Sequence, residues 1–228
     1  MTKVAGTEPA GLTEAFKAQV RADATDGVDF ATLMAQVSSE THFETHAVNH
    51  RTGAAGPFQF VKNTWLSLIQ KYGKEAGVKS SLVDEIKTGA HGHPQVENRH
   101  ALNEILDLRF DIGIATKMAS KYSALNKAHL TRILGRTATD AEVQMSFLLG
   151  ASGAAHLIKA AEETPGQPAD KVLPRAVAAN RSLFRDGEGH MLSAAGAIER
   201  FDARFRIQRA KFAAYLAPTA SGGMKIDA

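Results

Sequence analysis

Residues 29–65 read DFATLMAQVSSETHFETHAVNHRTGAAGPFQFVKNTW, and the reading of this stretch decides the architecture. Asp29 is placed to cap a helix, and Phe30, Leu33, Met34 and Val37 then recur at the three- and four-residue spacing of one buried helical face. Glu40 stands on the same face, because at ~100° per residue a seven-residue step returns to within about 20° of Leu33. The helix is expected to finish near Thr41 to Phe43. Burial and the partial negative charge of a helix C-terminus both disfavour an ionised carboxyl, so Glu40 is expected to hold its proton more tightly than a free glutamate. Two readings stay open here. A protonated carboxyl can act as general acid on a glycosidic oxygen, and a buried glutamate can also be satisfied by a hydrogen bond or a cation with no catalytic role.

Beyond the helix, Gly53-Ala54-Ala55-Gly56-Pro57-Phe58-Gln59-Phe60 is a run of small residues ending in an amide and aromatics, followed by Thr64-Trp65. Such a run lets backbone approach a ligand closely, and a small hairpin is expected over residues 50 to 60. His42, His46 and His50 are spaced by four, as a zinc site on a helix would need, but the turn expected from Gly53 scatters the rings and no metal is expected. His91 and His93, around Gly92, read as loop.

The order Glu40-Thr41-x-Phe43, Gly53-Ala54-x-Gly56-x-Phe58-Gln59, Thr64-Trp65 resembles the catalytic core of the soluble lytic transglycosylases, lysozyme-like enzymes that cleave peptidoglycan. Their pattern is Glu-Ser-x-Phe, a short loop, Gly-Ala-x-Gly-Leu-Met-Gln, then Thr-Trp. This chain departs from it at Thr41 for serine, at Pro57-Phe58 for Leu-Met, and by one extra residue between Ala47 and Gly53. A second similarity lies at Phe147 to Gly150, where relatives carry a tyrosine or histidine ahead of a glycine turn that closes the cleft. The resemblance spans residues 29 to 201 and is strongest over 33 to 65. It implies Glu40 as the sole catalytic group, with Thr41, Gly56, Phe58, Gln59, Trp65, Phe147 and Gly150 contacting substrate. It implies no cofactor, and a 1,6-anhydromuramic acid product made with help from the substrate's own acetamido group. A hydrolytic muramidase using the same Glu40, and a non-catalytic wall-binding or assembly component, are the alternatives.

Along the rest of the chain, Leu12 to Val20 reads as a short helix broken at Thr25-Asp26-Gly27, and the helix carrying Trp65 and Tyr72, which either flank a sugar cleft or are core aromatics, is expected to end at Gly73. Residues 74 to 100 carry little pattern. Leu102 to Leu134 reads as one helical stretch with Leu102, Ile105, Leu106, Ile112, Ala115, Met118, Ala119, Tyr122 and Leu125 inward. Asp107 and Asp111 are candidates for a second carboxylate but fit a solvated face or ion pair better. Thr139 is placed to cap a helix with acids in its first turn, running to Gly150. Asn180-Arg181 reads either as a substrate contact or as a helix cap. Ile198, Phe201, Phe205, Phe212 and Tyr215 oppose Arg200, Arg204, Arg206, Arg209 and Lys211 on an amphipathic C-terminal helix. That helix either packs on the domain or touches an anionic membrane surface.

With 228 residues, 44% of them hydrophobic, the chain can bury a sizeable core. A formal charge of +3 fits either attraction to an anionic surface such as a cell wall rather than nucleic acid, or solubility alone, and the lack of cysteine excludes disulfides. No secretory leader or membrane span is expected, so a wall-degrading enzyme would need phage lysis, a virion or a secretion apparatus for delivery. The expectation is a mainly α, lysozyme-like monomer with a small β-hairpin. Its parts are a tail and short helix over 1–24, a catalytic domain over 25–201, and a basic helix with a loose end over 202–228.

Overall fold

A computed structural model describes residues 13–41, 44–89 and 91–213, leaving aside the side chains of Phe30 and of residues 38–41. The chain is mainly α-helical among these residues. Helix α1 (Glu14–Asp23) starts at Thr13, whose hydroxyl accepts from the Phe16 amide at 3.1 Å, and it buries Phe16 and Val20. Helix α2 (Phe30–Thr41) follows, capped as its sequence requires: the Asp29 carboxylate accepts from the Thr32 amide at 2.8 Å. Leu33, Met34 and Val37 are fully buried.

The small hairpin is present, β1 (Val48–Asn49) pairing antiparallel with β2 (Ala54–Ala55) in the register Val48 to Ala55. Helix α3 (Lys62–Ala76) runs through Gly73 and stops at Gly77, four residues later than the glycine count suggests. Gly73 lies under the helix because it packs on Ile69 and Val83, where an added Cβ would sit 3.0 Å from each side chain. The weakly patterned region holds a one-turn helix α4 (Ser80–Val83) and a second short hairpin, β3 (Lys87–Thr88) with β4 (Pro94–Gln95), whose turn carries His91 and His93.

The single helix expected over residues 102 to 134 is two. Helix α5 (Arg99–Asp107) leads into a 3₁₀ turn, and α6 (Ile112–Leu134) restarts at Asp111, whose carboxylate caps the Ile114 amide at 2.8 Å. The inward stripe is otherwise present, except that Leu125 is largely exposed. Helix α7 (Asp140–Glu163) opens with a full capping box between Thr139 and Glu142 and continues beyond Gly150, where the backbone breaks. Two short helices, α8 (Ala169–Val172) and α9 (Pro174–Ala179), lead to α10 (Ala194–Ala213).

Packing divides into two hydrophobic clusters. One gathers α1 to α5, Phe58 and Phe60 of the turn after the first hairpin, and the first half of α6, around Leu33, Trp65, Ile69 and Met118. The other gathers the end of α6 with α7 to α10, around Leu130, Leu157 and Phe184. Helix α10 ties them, packing on both α7 and α2, and the boundary expected after residue 201 falls inside it. Its Phe205 and Phe212 are buried and Arg209 reaches Asp29 at 2.5 Å, so its apolar side is spent on the fold. Tyr215 lies outside the described residues. No helix among the described residues is long and apolar enough to cross a membrane.

Candidate active site

The turn after β2 is built from backbone geometry. Asn49 organises the hairpin loop, its side-chain oxygen accepting from the Arg51 and Thr52 amides at 3.1 and 3.2 Å. Gly56 then takes a φ of +77°, and a Cβ there would lie 2.0 Å from the carbonyl oxygen of Arg109. The expected close approach of backbone to a ligand at Gly56 is therefore an approach to Arg109 instead. The Arg109 guanidinium completes this clamp, Nη1 donating to the Gly53 carbonyl at 2.9 Å and the Phe60 carbonyl at 3.2 Å while Nε donates to Leu106. Burial lowers the pKa of Arg109 and the nearby Asp107 charge opposes that shift. Through Nε and Nη1 the arginine organises the turn.

Gln59 sits in the left-handed region at a φ of +50° and its amide is held by the same turn. Its Nε2 donates to the Ala47 carbonyl at 3.1 Å and to the Gly56 carbonyl at 2.9 Å. Both partners are acceptors, which fixes the nitrogen on that side of the amide.

Phe58, Gln59, Phe60, Val61 and Thr64 from this region line a cleft of about 100 Å³ together with Tyr122 of α6 and Phe147 of α7. Tyr122 meets Phe147 edge to face at 5.1 Å, and Phe60 bridges inward to Trp65 at 5.2 Å. The cleft thus lies on the seam between the two clusters, since Tyr122 packs with the first and Phe147 with the second. A volume this far below the ~300 Å³ of ordinary ligand pockets admits one ring substituent, with a polymer's remainder lying along the surface.

The expected site residues divide accordingly. Phe58, Gln59 and Phe147 come together, with Thr64 beside them. Gly56 shapes the turn beneath them. Gly150 takes φ 69° and ψ 155°, a conformation that breaks α7 one turn beyond Phe147. Trp65 does not line the cleft: it is 0% exposed and its indole donates to the Ile105 carbonyl at 2.6 Å, which makes it the anchor of α3 on α5. Glu40 stands in the last turn of α2, but its side chain and that of Thr41 lie outside the described residues, as do His42 and Phe43.

Asp111 caps α6 through Oδ1. His46 stacks on Phe110 at 5.6 Å, and among the described residues no cluster of three acidic or histidine side chains could hold a metal ion. Asn180 caps α9, its amide donating to Ala176 at 3.0 Å. Sequence reasoning missed Arg109 and Tyr122 as parts of the site. Tyr122 carried a signal, a polar aromatic closing an otherwise aliphatic stripe, whereas Arg109 carried none, because its partners are main-chain carbonyls far along the chain. No protein-family model matches this sequence.

Proposed function

We propose that the protein is a peptidoglycan lytic transglycosylase with a lysozyme-like catalytic domain. The observation that carries the reading is the convergence of Phe58, Gln59 and Thr64 with Phe147 on one cleft, two motifs far apart in sequence that resemble the two halves of that family's site. Glu40, at the end of α2, is the general acid in this reading. It donates its proton to the oxygen linking N-acetylmuramic acid to N-acetylglucosamine, and the substrate's acetamido group assists departure in place of a second carboxylate. Glu40, then ionised, takes the proton of the muramyl C6 hydroxyl, which closes to the 1,6-anhydro ring. Gln59, whose Nε2 is held by the turn, accepts through Oε1 from the acetamido N–H and holds that group for attack. The aromatic edges of Tyr122 and Phe147 pack on the sugar. Glycan strands are the partner, the protein acts as a monomer at the wall, and no metal or cofactor takes part.

The test is product analysis. Purified sacculi digested with the protein should release muropeptides with anhydro ends, read by mass spectrometry. Reducing ends would make the protein a hydrolytic muramidase, and sacculus binding without release would make it a wall-binding component.

A further inference from the structure

A second cleft, of about 290 Å³, opens on the far cluster between α8, α9 and the loop that follows. Its floor is apolar, from Pro174, Val177 and Met191, and its charged lining is Asp170, Arg181 and Arg185. One oxygen of Asp170, Oδ1, is buried with no hydrogen-bond partner. A buried carboxylate oxygen left unpaired is costly, and structures retain such an atom where something else satisfies it. The two arginines could have done so, yet among the described residues neither pairs with Asp170. Arg185 is instead fixed by a backbone bridge to Met191 and by a bond from its Nη1 to the Gly189 carbonyl, which leaves the rest of its fork unused. Arg181 follows Asn180, the cap of α9, and sits on a 3₁₀ turn anchored by the fully buried Phe184. The fold therefore holds two cations and one anion around an apolar floor without letting them neutralise one another.

We propose that this cleft binds a free acidic α-amino acid. Two carboxylates match the two guanidinium groups, which suit planar bidentate contacts, an α-ammonium matches the Asp170 carboxylate, and the methylene stem lies on Val177 and Met191. This site is separate from the glycan cleft and does not depend on the cleavage reading.

Titration of the full chain with glutamate, followed by nuclear magnetic resonance and calorimetry, tests it. Saturable binding is expected, with shifts at residues 170 to 191. Glutarate, which lacks the ammonium, and 4-aminobutyrate, which lacks one carboxylate, should each bind at least tenfold more weakly. Asp170→Asn and Arg181→Gln should each weaken glutamate tenfold or more while leaving the spectrum of the rest of the chain unchanged. A Glu-Ala dipeptide, whose glutamate α-carboxylate is tied up in the peptide bond, should also bind at least tenfold more weakly, and binding as strong as that of glutamate would overturn the two-carboxylate match. Glutarate binding as well as glutamate would overturn the zwitterion assignment. So would no binding, or binding indifferent to both variants.

Discussion

The turn at Gly56 and the break at Gly150 each stand three residues from a side chain of the cleft, Gln59 and Phe147, and they are held in opposite ways. Gly56 is enclosed: a Cβ would strike the Arg109 backbone at 2.0 Å. Gly150 is open, with nothing within 4 Å of where its Cβ would be, and only its backbone conformation demands glycine. One turn is thus fixed by tertiary packing and the other by local dihedral preference. A glycine beside a candidate site is not, by itself, a sign that a ligand passes there.

Substitution separates the two mechanisms. Gly56→Ala should cost about 3 kcal/mol or more, because a positive φ and a clash with immovable backbone act together. Urea denaturation checks this, and a loss under 1 kcal/mol would mean that the Arg109 clamp yields. Gly150→Ala meets no neighbour and should cost only the strain of its conformation, about 1–3 kcal/mol. If the two losses proved equal, the contrast drawn between the turns would fail.

Trp65 and Phe147 provide the next division. Trp65→Phe removes the bond to Ile105 and some ring volume, and should lower stability by about 1–3 kcal/mol with KM for sacculi unchanged. Phe147→Ala should raise KM instead, since its half-buried ring lines the cleft. A KM effect at Trp65 would return it to the site.

The smallest effect concerns pH. Burial of Glu142 acts to raise its pKa, but hydrogen bonds from Arg136 at 2.7 and 3.0 Å and from the Thr139 amide outweigh it, so the net shift is downward. A carboxyl with a lowered folded pKa adds stability that is fully present above its ordinary value of 4.5 and is lost as pH falls through the lowered value. Thermal melts of Glu142→Gln should therefore be less stable than the parent near neutrality, and the gap should shrink below about pH 4. A gap constant with pH would show that the pair contributes nothing through its charge.

Local signals in the sequence were readable, and long-range ones were not. The Asp29 cap, the buried run from Leu33 to Val37, the Thr139 cap and the small hairpin follow from spacing and residue chemistry within a few positions. The break before α6 was also encoded locally, by Asp111 as a cap, but the same carboxylate invites an acid–base reading. Gly73 fits a helix end by composition and is a packing contact in fact, because Val83 approaches from outside the helix. Trp65 and Arg109 gain their roles from carbonyls of distant segments, and no periodicity records a main-chain acceptor. Of the candidate site, the meeting of Phe58, Gln59 and Phe147 on one cleft was legible, but not the division between residues that line the cleft and those that hold it.

Glu40 carries the central claim, and Glu40→Gln tests it most directly. The variant should melt cooperatively with the parent's secondary structure, bind purified sacculi, and release no anhydro-ended muropeptides where the parent releases them. Release of muropeptides by a folded Glu40→Gln protein at the parent's rate would contradict the account.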